Sequence, residues 1–546
     1  MKEKNTVERT IVVVGAGTSG WLTASAIKKQ NPDINVTLVY DSQIKTMGVG
    51  ETIYFGMPKF NREVLGIKDH EWMNAVSATY KIGLKIYSNE SPTSFSVTAH
   101  INDFPSDCLK LSHAGTNFAQ IKDQADTSEQ DQYGEHGSIV DLWASMYQAG
   151  HLGTNQERIF ADISEGYWFV KNNKSIYDLA GDCITNPWVS HSYHYDAELF
   201  STVIGNLVGK PAGVVDIDST IIDVTTDSDQ NIQSITLANG QVIHADCFVD
   251  CTGFRRLLVS KTQNEWMDSD EFYNNSAIVS PIFYDNHENP THSINNVTNF
   301  GGMKCGWRFS IPLQHRSGNG YIFNSRIHRD VDQLAEEFDQ VLDNPNAGQY
   351  RLIQWQPGRY RHAVENNCFS VGLAMGFTDP FDANNLAVTC DLIQEFVGQL
   401  KIHSNDPDWL LKTKRHMNIK NQVLWDDVDM RIQSWTRLTP RCDTEHYRLM
   451  AQVAADTRLE EKFIQRIQDM RNRTRSNLDR FYMRSWAYVT VALRYGIRLP
   501  SVKLDNEIME LAKNYFEFNG RKWKTLADSA PDMHEFNQNM KNLYQN

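Results

Sequence analysis

The feature that most constrains this chain is the stretch VVVGAGTSGWLTASAIKK, residues 12–29. An apolar run over residues 10–14 reads as a buried strand. It ends in Gly15, Gly17 and Gly20, and a helix is expected over residues 20–30. A second strand, NVTLVY, follows at 35–40. This is a βαβ opening carrying the G-x-G-x-x-G spacing. Gly15 allows the tight turn, Gly17 lets a pyrophosphate approach the backbone, and Gly20 permits close helix–strand packing. Thr18 and Ser19 fall in the same loop. The free N–H groups and positive dipole end of the helix favour an anion there. The second strand should end in a carboxylate for a ribose. Tyr40 takes that place and Asp41 follows, so Asp41 serves only where the strand is already ending.

The bulk numbers exclude several classes. The 546 residues are 41% hydrophobic and carry a formal charge of −14. An acidic chain disfavours nucleic acid, which needs a basic surface. No apolar run has the length of a membrane span, and the polar start MKEKNTVERT lacks the apolar core of a secretory signal. The eight cysteines contain no C-x-x-C, although Cys247 and Cys251 are four apart. Reduced thiols and a cytoplasmic location are expected, with no metal site.

Which dinucleotide is bound follows from a later stretch. In SITLANGQVIHADCFVDCTG a hairpin turns at Asn239-Gly240, and a strand at 245–250 runs into Cys251, Thr252 and Gly253. A late strand entering a glycine turn is where an FAD protein of this layout returns to its cofactor, and no second fingerprint for a nicotinamide cofactor is present. FAD is therefore expected, reduced from outside. A plain strand-to-turn exit is the alternative for this segment taken by itself. Residues 196–209 and 383–401 read as helices. Residues 91–192 read as loops and short elements, and the chain beyond about 406 as mainly helical.

Six further stretches occur in order: TMGVGETIYFGMPKF (46–60), ATYKIGLKIY (78–87), YHYDAELF (193–200), DCTGF (250–254), GWRFSIPL (306–313) and VGLAMGFTDPFDANNLAV (371–388). Together with the glycine fingerprint they resemble the flavin-dependent halogenases, in particular the tryptophan-halogenase-like branch, over about residues 10–400. The resemblance implies an FAD-binding Rossmann-type α/β core related to flavin monooxygenases, with an additional β-sheet and a mainly helical C-terminal cap. The domain reading is a core at 1–400, with 91–192 as a substrate-side insertion, and a helical region at 401–546. The implied reaction uses reduced FAD, oxygen and a halide ion to make hypohalous acid. That species halogenates an electron-rich, indole-like aromatic beside a lysine, and a separate flavin reductase supplies the reduced FAD. A homo-oligomer is compatible with this reading. An aromatic monooxygenase and a non-catalytic FAD-fold scaffold are the rival readings.

The resemblance places Lys81 on the catalytic lysine. Its nitrogen must hold an electrophilic halogen, either as an amine or as a hydrogen-bonding ammonium, and the amine route needs a pKa depressed by burial. Residue by residue the alternative is a wet strand face shared by Lys81 and Lys85, since Tyr80, Ile82, Leu84 and Ile86 alternate with them. Asp382 stands where the family carries a glutamate. It is either the acid–base group, one methylene shorter, or a helix N-cap. Asn384 and Asn385 occupy the positions whose backbone N–H groups bind the halide, where the family has a threonine and a small residue. Trp307, Phe309 and Pro312 resemble the passage beside the flavin, with Phe309 replacing a tryptophan, and Trp307, Phe309 and Ile311 share one strand face. Gly48, Val49, Gly50 and Glu51 resemble a segment along the flavin. Gly253 and Asp379 resemble further cofactor contacts, and His100 resembles a substrate-side histidine.

Overall fold

The computed structural model describes residues 9–44, 51–52, 56–88, 91–99, 139–153, 162, 166–185, 191–269, 274–284, 294–343, 348–381, 384–437, 444–456, 458–462, 464–465 and 506–543. The chain divides into two units. The first comprises Met1–Thr79, Ser192–His292 and Leu313–Asp426. Its centre is a six-stranded sheet in the order Val364–Glu365, Cys368–Ser370, Cys247–Asp250, Arg9–Val14, Ile34–Tyr40 and Val215–Asp218. All neighbours run parallel except the outermost pair, Val364–Glu365 with Cys368–Ser370. A parallel strand covered on both faces needs a continuous apolar run. Accordingly Ile11, Val12 and Val13 are fully buried.

The helix Thr18–Gln30 returns over this sheet and packs on the helices Ala197–Ile204 and Asn384–Ile402. The expected helix at 196–209 begins with Asp196 as its cap, whose side chain accepts from the N–H groups of Glu198 and Leu199. Beyond Ile204 it continues through a wider turn at Gly205–Gly209. The expected hairpin forms between Ile232–Leu237 and Val242–Ile243, with Gly240 at φ +84°. A second antiparallel layer places Ser276–Phe283 between Arg316–Phe323 and Arg351–Gln354.

The second unit comprises Tyr80–His191, Ser293–Pro312 and Asp427–Asn546. In it Val297–Met303 pairs antiparallel with Gly306–Pro312 and parallel with Gly83–Ser88, which pairs antiparallel with Ser91–Ala99. The helices Ile139–Gln148, Gly166–Lys171, Glu445–Asp456, Asn506–Ser529 and Met533–Leu543 also belong to it. The C-terminal helices are tied to the 172–179 segment: the Ser175 N–H donates to Pro531 O at 2.8 Å, and Asn172 Nδ2 donates to Asp528 Oδ1 at 3.2 Å. Among the described residues no helix is long and apolar enough to cross a membrane.

The alternating run around Lys81 is not one strand. Thr79–Lys81 and Gly83–Ser88 are separate strands broken at Ile82, whose N–H donates to Asn296 O at 2.8 Å. The ladder changes partner at the break, which a pattern of apolar alternation does not reveal.

Candidate active site

Three loops meet at the carboxyl ends of the parallel strands. The Gly15 N–H donates to Val39 O at 2.8 Å, and the Cys251 N–H donates to Val14 O at 2.9 Å. Gly15 has φ +103°, and a Cβ there would lie 2.4 Å from Cys251 O. At Gly20 a Cβ would lie 1.7 Å from Gly15 O. No larger residue fits either position, for a steric reason independent of any ligand. A third approach was not evident from sequence: Gly372, at φ +69°, would place a Cβ 2.1 Å from Ser19 Oγ. The helix that starts at Thr18 has Gly17 as its cap and no side-chain cap. Its first N–H groups are therefore left without a side-chain acceptor, as an anion site at a helix start requires.

Asp250 organises the second loop. Its Oδ1 accepts from the Thr252 N–H at 2.9 Å and the Thr252 hydroxyl at 2.7 Å. Its Oδ2 accepts from the N–H groups of Leu258 at 2.7 Å and Val259 at 2.9 Å. This fully buried carboxylate fixes the turn that carries Gly253, itself at φ +64°. Its neighbour Cys251 is a buried thiol held protonated by desolvation, so it is structural rather than nucleophilic. Burial likewise pushes the Cys247 thiol up to about 12. Asp41 lies just past the strand end and is half-buried. Its Oδ2 accepts from the Thr220 hydroxyl at 2.7 Å and its Oδ1 from the Gln43 N–H at 2.9 Å. These bonds hold its carboxyl below the usual range, leaving an ionised acceptor at the place where a ribose hydroxyl is expected.

The segment from Thr378 onward is braced by a residue that sequence reading missed. Asn274 Nδ2 donates to Asp379 Oδ2 at 2.6 Å, and the Phe381 N–H donates to Asp379 Oδ1 at 3.1 Å. Asp379 is buried and shapes this turn. Asn384 Nδ2 donates to Phe381 O at 2.5 Å, and the helix Asn384–Ile402 begins there. Three residues here carry buried polar atoms with no protein partner: Asn274 Oδ1, Thr378 Oγ1, and both Nδ2 and Oδ1 of Asn385. Glycine cradles, an uncapped helix start and orphaned buried polar atoms fit an FAD with an accompanying anion.

In the second unit Lys81 is fully buried, as few lysines are. In the strand Thr79–Lys81 every residue is buried, so the wet-face alternative does not describe Lys81. In the first unit, Thr79 has its Oγ1 3.2 Å from His194 Nδ1. His194 is buried as well and lies in YHYDAELF, where sequence gave it no role. Along Gly306–Pro312, Trp307, Phe309, Ile311 and Pro312 are buried, whereas Arg308 and Ser310 are half-buried. The rings of Trp307 and Phe309 stand 6.1 Å apart. Gly48, Val49, Gly50, His100 and Asp382 lie outside the described residues, as do the side chains of Glu51 and Lys85.

Comparison with known proteins decides the family. The sequence profile described as tryptophan halogenase matches residues 10–502. The chain belongs to the tryptophan halogenase family. It is a flavin-dependent halogenase by that membership, and its relatives agree. It is 27% identical over 456 residues to the tryptophan 7-halogenase RebH of Lentzea aerocolonigenes, covering 83% of this chain and 80% of that one. It is 25% identical over 461 residues to the tryptophan 6-halogenase ThaL of Streptomyces albogriseolus, covering 83% and 81%. The crystal structure of the tryptophan 6-halogenase SttH of Streptomyces toxytricini superposes with a TM-score of 0.77 at 23% identity, covering 97% of this chain and all of that one. The last likeness speaks for the fold: the halogenase core and its helical C-terminal region are both present.

Proposed function

We propose that this halogenase modifies an electron-rich, indole-like small molecule, with Lys81 presenting the oxidised halogen to the ring. The observation that carries the reading is the complete burial of a lysine at the position that resembles the family's catalytic lysine. Reduced FAD, once bound, supplies with oxygen the oxidising equivalents that turn a halide into hypohalous acid. Gly15, Gly17, Thr18, Ser19, Gly20, Gly253 and Gly372 would hold its pyrophosphate end and Asp41 its ribose, with Asp379 shaping the turn beside it. The backbone N–H groups of Asn384 and Asn385 would hold the halide at the start of their helix.

The residues of the chain then act on position and protons. Burial keeps bulk water from Lys81 Nζ, so a captured halogen meets the aromatic ring before it hydrolyses. The ring exchanges a hydrogen for the halogen, hypohalous oxygen leaves as water, and Asp382 takes the ring proton. In sum an aromatic C–H, a halide, FADH2, oxygen and one proton give an aryl halide, FAD and two waters. Trp307, Phe309 and Pro312 supply a buried, largely aromatic wall. The halogenase works in the cytoplasm, and its reduced flavin comes from a separate flavin reductase.

The test is a screen of aromatic compounds with purified protein, a flavin reductase, FAD and each halide, read by mass spectrometry. A halide-dependent mass increase is expected. Lys81→Ala is expected to abolish that product and to leave FAD binding intact. An oxygenated product formed equally well without halide overturns the reading in favour of a monooxygenase.

A further inference from the structure

The two neighbouring asparagines at the start of Asn384–Ile402 do different things. Asn384 is buried, and its Nδ2 donates to Phe381 O at 2.5 Å, closing the turn before the helix. Asn385 contributes its backbone O to the Thr389 hydroxyl at 2.7 Å, but both polar atoms of its side chain are buried without a protein partner. A carboxamide hidden from water and unmatched by protein is costly, and such groups in folded proteins point to a ligand. A second observation stands beside it. Thr378, 1% exposed, also has an unpartnered hydroxyl, and it precedes the Asp379 turn that Asn384 closes. In the resemblance, position 385 is held by a small residue, so this carboxamide is an addition to the backbone anion site.

We propose that Asn385 is a specificity-determining ligand of the halide. Its Nδ2–H donates to the anion alongside the backbone N–H groups, and its Oδ1 accepts from a water that accompanies the ion. A charge-assisted hydrogen bond strengthens with the charge density of the acceptor. The added donor therefore favours chloride over bromide, and bromide over iodide. This rests on the reading of the helix start as the halide site.

The experiment titrates the FAD-loaded full chain with chloride and with bromide, following the flavin absorbance and fluorescence, for the wild type, Asn385→Gly and Asn385→Asp. FAD affinity and melting temperature are measured in parallel. Asn385→Gly removes the donor and is expected to weaken chloride about tenfold, the scale of one hydrogen bond to a charged group, and bromide less. Asn385→Asp sets a carboxylate beside the anion and is expected to abolish the response to both halides. FAD affinity should stay within about twofold, since this donor serves the anion alone. Titration curves that coincide with the wild type overturn the inference, and Asn385→Gly decides it should the aspartate variant fail to fold. Wild-type halogenation with unmoved variant curves rejects Asn385 alone. A wild-type flavin blind to halide, with no halogenated product, rejects the halide site and Asn385 together.

Discussion

At the scale of single residues, the most instructive group outside the cofactor cradle is Asp391. It sits within the helix Asn384–Ile402, is 5% exposed, and has Oδ2 without a partner. Burial raises its pKa well above the ordinary value, with Lys420 opposing and Glu395 adding to the shift. Lys420 is engaged elsewhere, 3.4 Å from Glu395 Oε1, and Glu395 also meets His416 Nε2 at 2.9 Å. The sign follows from linkage. A carboxyl with a raised folded-state pKa favours the fold fully below its unfolded value near 4, and loses that contribution as pH rises through the folded value. At neutral pH Asp391 therefore weakens the fold. Asp391→Asn keeps the shape and removes the titration. Its melting temperature should exceed that of the wild type at pH 7, with the gain disappearing as pH falls towards 4. A variant less stable than the wild type at pH 7 contradicts this account.

At the scale of elements, the helix Thr18–Gln30 is held by unusually close neighbours. A Cβ on Gly205 would lie 2.6 Å from the Trp21 ring, and one on Gly209 would lie 2.8 Å from Ser25 Oγ. Trp21 is 5% exposed and has little room to yield. Gly205→Ala should cost about 1–3 kcal/mol, as overpacking does. Gly398 is the control: it lies inside the helix Asn384–Ile402 with nothing within 4 Å of a built Cβ. Gly398→Ala should stabilise by about 0.5–1 kcal/mol. Chemical denaturation of both variants checks the pair, and two changes of the same sign contradict it. The contrast shows what sequence can disclose. Gly15 and Gly20 were legible because their spacing is local, and the buried alternation of Trp307, Phe309 and Ile311 because a strand has period two. Gly205 and Gly372 were not, since their need for glycine comes from Trp21 and Ser19, far away in sequence. Asn274 was hidden for the same reason, being joined to Asp379 only by tertiary folding. The break at Ile82 was hidden because both sides of it keep the same apolar rhythm.

At the scale of the whole molecule, the residues proposed to hold the cofactor and the lysine proposed to carry the halogen fall in different units. The glycine cradle, Asp41, Asp250 and Asp379 belong to the first unit, whereas Lys81, Trp307 and Phe309 belong to the second. A ligand that binds only folded protein stabilises it by mass action, by about 2.7 kcal/mol at a hundred times its dissociation constant. For a unit of this size about 2 °C accompanies each kcal/mol, so saturating FAD should raise the first unit's melting temperature by roughly 5 °C. Calorimetry of the full chain tests this, and where the units melt separately only one transition should move. Gly15→Ala forces a Cβ to 2.4 Å from Cys251 O at φ +103°. That variant should melt lower and lose the FAD shift. Lys81→Ala should keep the shift in full while making no halogenated product. A Gly15→Ala protein that still gains the full shift would show that the cofactor is held elsewhere. A Lys81→Ala protein that loses it would show that the lysine serves the flavin rather than the halogen.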